Sequence, residues 1–215
     1  MEKCLKSGRQ VILFLNRRGY STFISCRICG YVAKCPHCGL SLTYHKSEDR
    51  MLCHYCGHTE RIPHRCPECG SEYIKYFGSG TERLEETVRE MFSEYETARI
   101  DLDTVRKKGE LTKKLKAFKD GVTDILIGTQ LIAKGLDFRN VGLSGIVSAD
   151  VSLNIPDFRS AERTFQLITQ AAGRAGRGDD AGSVIVQTYN PDNYAVKFAA
   201  SQDYEGFYKT EMQLR

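Results

Sequence analysis

Val11-Ile12-Leu13-Phe14-Leu15 is an unbroken apolar run near the start of a 215-residue chain. Alternation would mark a strand with one wet face. A continuous run of this length suits a strand covered on both faces, as at the centre of a parallel sheet. Leu5-Lys6-Ser7-Gly8, just before it, reads as a helix finish with a glycine stop. Outward from this run, Ala98 to Leu102, Asp124 to Gly128, Leu143 to Val147 and Val184 to Gln187 read as further strands. Between them, Leu84, Val88, Met91 and Phe92 share one helical face, and Leu111, Leu115 and Phe118 mark a basic helix ending near Gly121. Ala161 to Ala171 reads as a third helix, and the tail from Tyr194 to Arg215 reads as helical with no obvious end. Strands alternating with helices predict an α/β fold on a parallel sheet.

Inserted after the first strand is a cysteine array. Its four pairs share one design: Cys26-Arg-Ile-Cys29-Gly30, Cys35-Pro-His-Cys38-Gly39, Cys53-His-Tyr-Cys56-Gly57 and Cys66-Pro-Glu-Cys69-Gly70. Two thiolates two residues apart can reach one cation from a single tight turn, and the following glycine tolerates the positive φ that closes it. The pattern predicts two tetrahedral Cys₄ sites, each holding a structural Zn²⁺. Leu40 to Tyr44 alternates like a strand, Lys46 to Asp49 is a turn, and Met51-Leu52 leads back to Cys53. This zinc-ribbon hairpin puts 14 residues between the second and third pairs. It joins Cys35, Cys38, Cys53 and Cys56 at one ion and leaves Cys26, Cys29, Cys66 and Cys69 for the other. Consecutive pairing would confine a site to the few residues between Gly30 and Lys34.

All five histidines (His37, His45, His54, His58 and His64) fall in this segment. A Cys₃His site is an alternative, but a full set of thiolates makes surface roles the expectation. Cys4 stands apart and reads as a helix-face residue. Tyr20, Phe23, Tyr31, Tyr44 and Tyr55 either form a small ribbon core or offer stacking surfaces. Thiol redox chemistry fits four glycine-followed pairs less well than metal does.

The formal charge is +4. Eight zinc-bound thiolates with two dications would bring the chain near neutrality, so net charge gives little support for nucleic-acid binding. There is no signal-peptide h-region and no apolar run of membrane-span length. A cytoplasmic protein is expected, where paired cysteines usually mean metal rather than disulfides.

Three polar stretches border the predicted elements. Asn16-Arg17-Arg18-Gly19 ends the first strand. Gly128-Thr129-Gln130-Leu131-Ile132-Ala133-Lys134-Gly135-Leu136-Asp137-Phe138 follows another. Gln170-Ala171-Ala172-Gly173-Arg174-Ala175-Gly176-Arg177 follows a helix. In the last, two guanidiniums three residues apart suit a polyphosphate, because arginine stays charged and bonds bidentately. For Asn16 to Gly19 a solvated turn is an equal alternative; for Arg174 and Arg177 a solvated basic loop is the lesser one. Gly78-Ser79-Gly80-Thr81-Glu82 carries a helix-capping signature and lacks the G-x-x-x-x-G-K-[ST] pattern of a P-loop.

The second and third stretches resemble motifs V and VI of superfamily-2 helicases. With the array, Phe14 to Tyr20, Gly78 to Glu82 and Pro156-Asp157-Phe158-Arg159-Ser160-Ala161-Glu162-Arg163, the likeness narrows. Over about residues 8–215 the chain resembles the PriA family of primosomal replication-restart DNA helicases (primosomal protein N′). The resemblance implies a RecA-like second helicase lobe, of P-loop NTPase architecture, with an inserted zinc-ribbon subdomain. Residues 1–25 would begin the lobe, 26–70 form the insertion, 71–190 complete the lobe, and 191–215 lead towards a further domain. A first motor lobe with the magnesium and Walker motifs would precede residue 1, so the piece by itself is expected not to hydrolyse ATP.

The same resemblance implies an ATP- and Mg²⁺-dependent helicase moving 3′ to 5′ on forked or single-stranded DNA. Its partners would be primosome proteins and single-strand-binding protein, and it would be a monomer associated with the bacterial nucleoid. It places Gly135 and Asp137 at the nucleotide, and Arg174 and Arg177 at its phosphates with Arg177 as the arginine finger. Gln170 would couple the nucleotide and DNA sites. Thr129 would meet the DNA backbone, with Lys134, Asn16 and Arg17 as further DNA contacts. The competing reading is a zinc-ribbon module that binds nucleic acid or protein on a non-catalytic α/β support. A nuclease-type motor is less suited, for want of a carboxylate cluster.

Overall fold

The computed structural model describes residues 1–15, 23–45, 48–76, 81–101, 104–105, 109–129, 132, 138–175 and 182–215. The apolar run is the middle of a five-stranded parallel sheet. Strand β1 (Gln10–Phe14) lies between β8 (Ile125–Gly128) and β9 (Val141–Ile146). Strands β7 (Thr97–Ile100) and β10 (Ser183–Val186) complete the order β10-β9-β1-β8-β7. All four pairings are parallel.

Alternation of side chains along a strand explains why β1 is apolar at every position. Val11 and Leu13 face one layer with Ile125, Ile127 and Leu143, against α1 (Glu2–Lys6) and α2 (Thr81–Met91) through Leu5, Leu84 and Val88. Ile12 and Phe14 face the other layer with Leu126 and Ile146. That layer is covered by α3 (Glu110–Lys119), α5 (Ser160–Ala172), α6 (Tyr194–Ala200) and α7 (Tyr204–Leu214), through Phe118, Phe165, Ile168, Ala195 and Phe207. One polar residue sits in the strand. Gln10 is buried and its Nε2 donates to the carbonyls of Phe118 at 2.6 Å and Thr123 at 2.7 Å. It thereby ties the sheet to the end of α3.

Several expectations change in detail. The helical tail is broken at Ser201–Asp203, where Gln202 takes φ 55° and the Asp203 carboxylate accepts from Gly206 N to start α7. Helix α7 then folds back, and Phe207 stacks on Phe165 at 4.2 Å. A short helix, α4 (Asp150–Leu153), follows β9 where the sequence carried no signal. The strand expected over Leu40 to Tyr44 narrows to β3 (Thr43–His45). The reason is local: the Leu40 carbonyl accepts from Cys35 N, and Ser41 bridges to Lys34, so the first half of that stretch closes a cysteine turn.

The array leaves and rejoins the lobe through an antiparallel neck, β2 (Ile24–Cys26) with β6 (Ile74–Tyr76). Within it, β3, β4 (Arg50–Leu52) and β5 (Thr59–Arg61) form a small antiparallel sheet. Its core is Ile24, Ala33, Leu42, Met51 and Ile74 with the buried cysteines, and Tyr31 and Tyr44 pack against it. Phe23 is buried as well, whereas Tyr55 is exposed; Tyr20 lies outside the described residues.

Candidate metal centre and motor-lobe motifs

The four cysteine turns are built alike. In each, the first cysteine's carbonyl accepts from the glycine N–H four residues on, at 2.9–3.1 Å. Its own N–H donates at 2.8 Å to the carbonyl five residues on: Tyr31, Leu40, His58 and Ser71. The glycines take φ of 79°, 67°, 76° and 71°, a region that costs other residues strain. The sequence repeats because this turn repeats. Its first cysteine points inward (Cys26, Cys35, Cys53 and Cys66 are buried), while Cys29, Cys56 and Cys69 reach the surface.

The sulfurs form two clusters: Cys26, Cys29, Cys66 and Cys69 in one, Cys35, Cys38, Cys53 and Cys56 in the other. Within each, the ligand atoms lie within 4.8 Å of one another. The pairs are therefore nested, the outer cluster enclosing the inner in sequence. Cys26 and Cys69 sulfurs are 3.6 Å apart, as are those of Cys29 and Cys66, and Cys35 and Cys56 are 3.5 Å apart. A disulfide would need about 2.05 Å. Zn–S bonds of about 2.3 Å would set tetrahedral sulfurs about 3.8 Å apart, close to what is seen.

The electrostatics fit a dication too. Burial raises the Cys26 thiol, but amide donors from Cys29 and Ile28 outweigh it and bring it down to about 6. The Cys56 amide, against burial, lowers Cys53 to about 7. Other members of each set are driven the opposite way. The Cys56 sulfur and then burial push Cys38 up to about 12. At Cys29 the Tyr31 amide lowers the value, yet burial and the neighbouring sulfurs carry it up to about 12. Each cluster favours one thiolate and then opposes the next. A central cation relieves that repulsion, so the donor set fits zinc.

The described histidines are not members of either sulfur cluster. His45 and His54 meet Nε2 to Nε2 at 3.2 Å, and His58 Nε2 lies 2.7 Å from a Glu60 carboxylate oxygen. The His37 and His58 rings meet edge to face at 4.9 Å. Cys4 packs beside the sheet, its sulfur 3.6 Å from the Gln10 carbonyl, and burial raises its thiol.

Of the three polar stretches, the described residues border the strands and helices of the parallel sheet. Thr129 directly follows β8 and is half-buried. The preceding Gly128 has no room for a side chain, since a Cβ there would lie 2.7 Å from the Ile100 carbonyl. Gln170 is in the last turn of α5, and Arg174 N donates to Ala171 O at 3.1 Å just past its end. Both side chains are half-buried. Asn16, Arg17, Lys134, Gly135, Asp137 and Arg177 lie outside the described residues.

Two residues without a sequence signal join the array to the lobe. Tyr189, after β10, donates from its hydroxyl to the Arg27 carbonyl at 2.9 Å. Its N–H donates to the Asp150 carboxylate at the start of α4, 3.1 Å to Oδ2.

A family model for the PriA DNA helicase Cys-rich region matches residues 35–61, and one for the helicase conserved C-terminal domain matches residues 71–179. The replication restart protein PriA of Bacillus subtilis is 54% identical over 215 residues, spanning 100% of this chain and 27% of the relative. Its counterpart from Synechocystis is 47% identical over 211 residues, 96% of this chain and 25% of the relative. That of Treponema pallidum is 47% identical over 215 residues, 100% of this chain and 33% of the relative. The chain thus spans a quarter to a third of the length of these relatives.

Proposed function

The chain belongs to the PriA replication-restart helicase family, through a helicase conserved C-terminal domain and a PriA Cys-rich region, and from that premise we propose that it works as the second lobe of an ATP-driven DNA motor. The observation that carries this is the Gln170-x-x-Gly173-Arg174-x-Gly176-Arg177 stretch at the end of α5 in a parallel five-stranded sheet. Phe138 follows the first nucleotide motif and precedes β9, and Arg174, within the second, comes between α5 and β10. Those strands are parallel neighbours, which supports Gly135, Asp137, Arg174 and Arg177 serving one nucleotide. Thr129, by contrast, leaves the carboxyl end of β8, where open α/β sheets place ligand contacts. Together with Lys134, Asn16 and Arg17 it would hold the DNA backbone, and Gln170 would couple the two sites.

In this reading Arg177 is an arginine finger. Its charge meets the phosphoryl group as that group leaves, and the Walker and magnesium motifs are supplied by a first lobe. The motor moves 3′ to 5′ on stalled forks in the cytoplasm. The eight cysteines would hold two structural Zn²⁺, which supply a rigid tetrahedral cross-link. The rigid array would then present a surface to the fork, to primosome proteins or to single-strand-binding protein.

The test is Arg177→Ala in a chain carrying both lobes. DNA-stimulated ATPase should fall by about 10³–10⁵-fold, as for arginine fingers generally, while zinc content and fork binding persist. Unchanged ATPase would overturn the motor reading and leave a zinc-ribbon binding module on an inert support.

A further inference from the structure

We infer that Tyr189 is a positioning residue that couples the outer cysteine cluster to the β9–α4 corner of the motor lobe. Occupancy of that cluster and packing of the corner are thereby linked. The inference rests on the reading that the cluster holds metal.

Three contacts converge on Tyr189. Its hydroxyl donates to the carbonyl of Arg27, inside the first cysteine turn and 162 residues away in sequence. The base of its side chain lies against Gly30, where an added Cβ would collide with it. Its backbone N–H donates to both Asp150 carboxylate oxygens, 3.1 Å to Oδ2 and 3.3 Å to Oδ1, and the Thr188 hydroxyl adds a bond of 3.1 Å. Asp150 is buried and opens α4, whose preceding residue Ala149 donates to the Gln187 carbonyl at 3.0 Å.

The geometry is particular to this turn. A Cβ on Gly39, Gly57 or Gly70 would meet nothing within 4 Å, although their backbones match that of Gly30. Nor is the junction flush. A cleft of about 180 Å³ opens beside Tyr189 between Arg27 and the rim residues Val147, Ser148 and Asp150. The tyrosine spans it. The Arg27 carbonyl is held in place by a turn whose two sulfurs belong to the outer cluster, so loss of a central cation loosens the acceptor that Tyr189 uses. Linkage makes the effect reciprocal: loosening the corner must weaken metal binding by the same factor.

Amide hydrogen exchange on the zinc-loaded and chelator-stripped chain tests this. In the native chain, stripping should speed exchange at Ala149 and Leu153 by on the order of tenfold, within the usual range of coupling factors. In Tyr189→Ala those amides should exchange fast with or without zinc, while Leu126 in the central sheet reports that the variant is folded. Tyr189→Phe keeps the ring, loses the bond to Arg27, and should fall between. In the other direction, Tyr189→Ala should bind one of its two zinc ions about tenfold more weakly in equilibrium competition with a colorimetric chelator. That site should be the one missing from Cys69→Ser. Two bound zinc ions with exchange at Ala149 and Leu153 indifferent to stripping would overturn the coupling alone. So would an undiminished response in Tyr189→Ala. A chain that binds no zinc would overturn the metal reading and the coupling with it.

Discussion

The sulfur of Cys26 lies 3.6 Å from that of Cys69 across 43 residues of chain, and Cys26 also pairs with Ile74 as the last residue of β2. One residue therefore serves both the outer cluster and the neck through which the array leaves the lobe. The neck is only three residues long on each side. A pairing that short has little stability of its own.

Cys69→Ser should reduce bound zinc from two to one per chain and open the neck, while the inner ribbon keeps its metal. Structural zinc contributes roughly 10–16 kcal/mol of apparent folding free energy in small domains. Excess chelator should therefore unfold the whole insertion and leave the parallel sheet folded. Elemental analysis and hydrogen exchange read both; a ribbon that stays protected without metal would refute the scaffold role.

Gly30→Ala should cost more than Gly57→Ala. Both place an alanine at positive φ, worth about 1–2 kcal/mol, but only at Gly30 does the new methyl strike Tyr189. Thermal unfolding and zinc retention compare the two, and equal losses would mean that the contact with Tyr189 is unimportant.

Gln10→Met keeps the length of the side chain and removes its donors. The carbonyls of Phe118 and Thr123 would lose their bonds from the buried amide. An unsatisfied buried acceptor costs about 1–3 kcal/mol, so the variant should unfold at clearly lower urea. A midpoint equal to that of the parent chain would show that water replaces the amide.

Asp101 gives a pH signature. Burial raises its carboxyl, but the Thr81 hydroxyl at 2.7 Å, the Thr104 amide at 2.9 Å and the Arg99 guanidinium at 3.0 Å hold it below its ordinary value. A depressed folded-state value gives stability that is complete above the unfolded value and lost as pH falls through the folded one. Asp101→Asn should be less stable than the parent by roughly 1–3 kcal/mol at neutral pH. The gap should narrow only below about pH 4. Urea titrations across that range check it, and a gap independent of pH would remove the charge from the account.

The sequence by itself determined the class of the fold and the grouping of the cysteines. Val11 to Leu15 is apolar throughout because both faces of β1 are covered, a constraint visible without partners. Each C-x-x-C-G repeat encodes one turn, since hydrogen bonds four and five residues long close it locally. The ribbon spacing likewise pointed to nested cysteines, as the sulfur contacts have them. Beyond local range legibility stops. The break at Gln202 depends on α7 finding Phe165, and the capture of Leu40 depends on the turn beside it. Tyr189 and Asp150 carry no pattern at all, because a single tyrosine after a strand looks like any loop residue. Only the tertiary structure decides that Tyr189 reaches Arg27, since that contact exists only once the sheet has brought the end of β10 beside the neck.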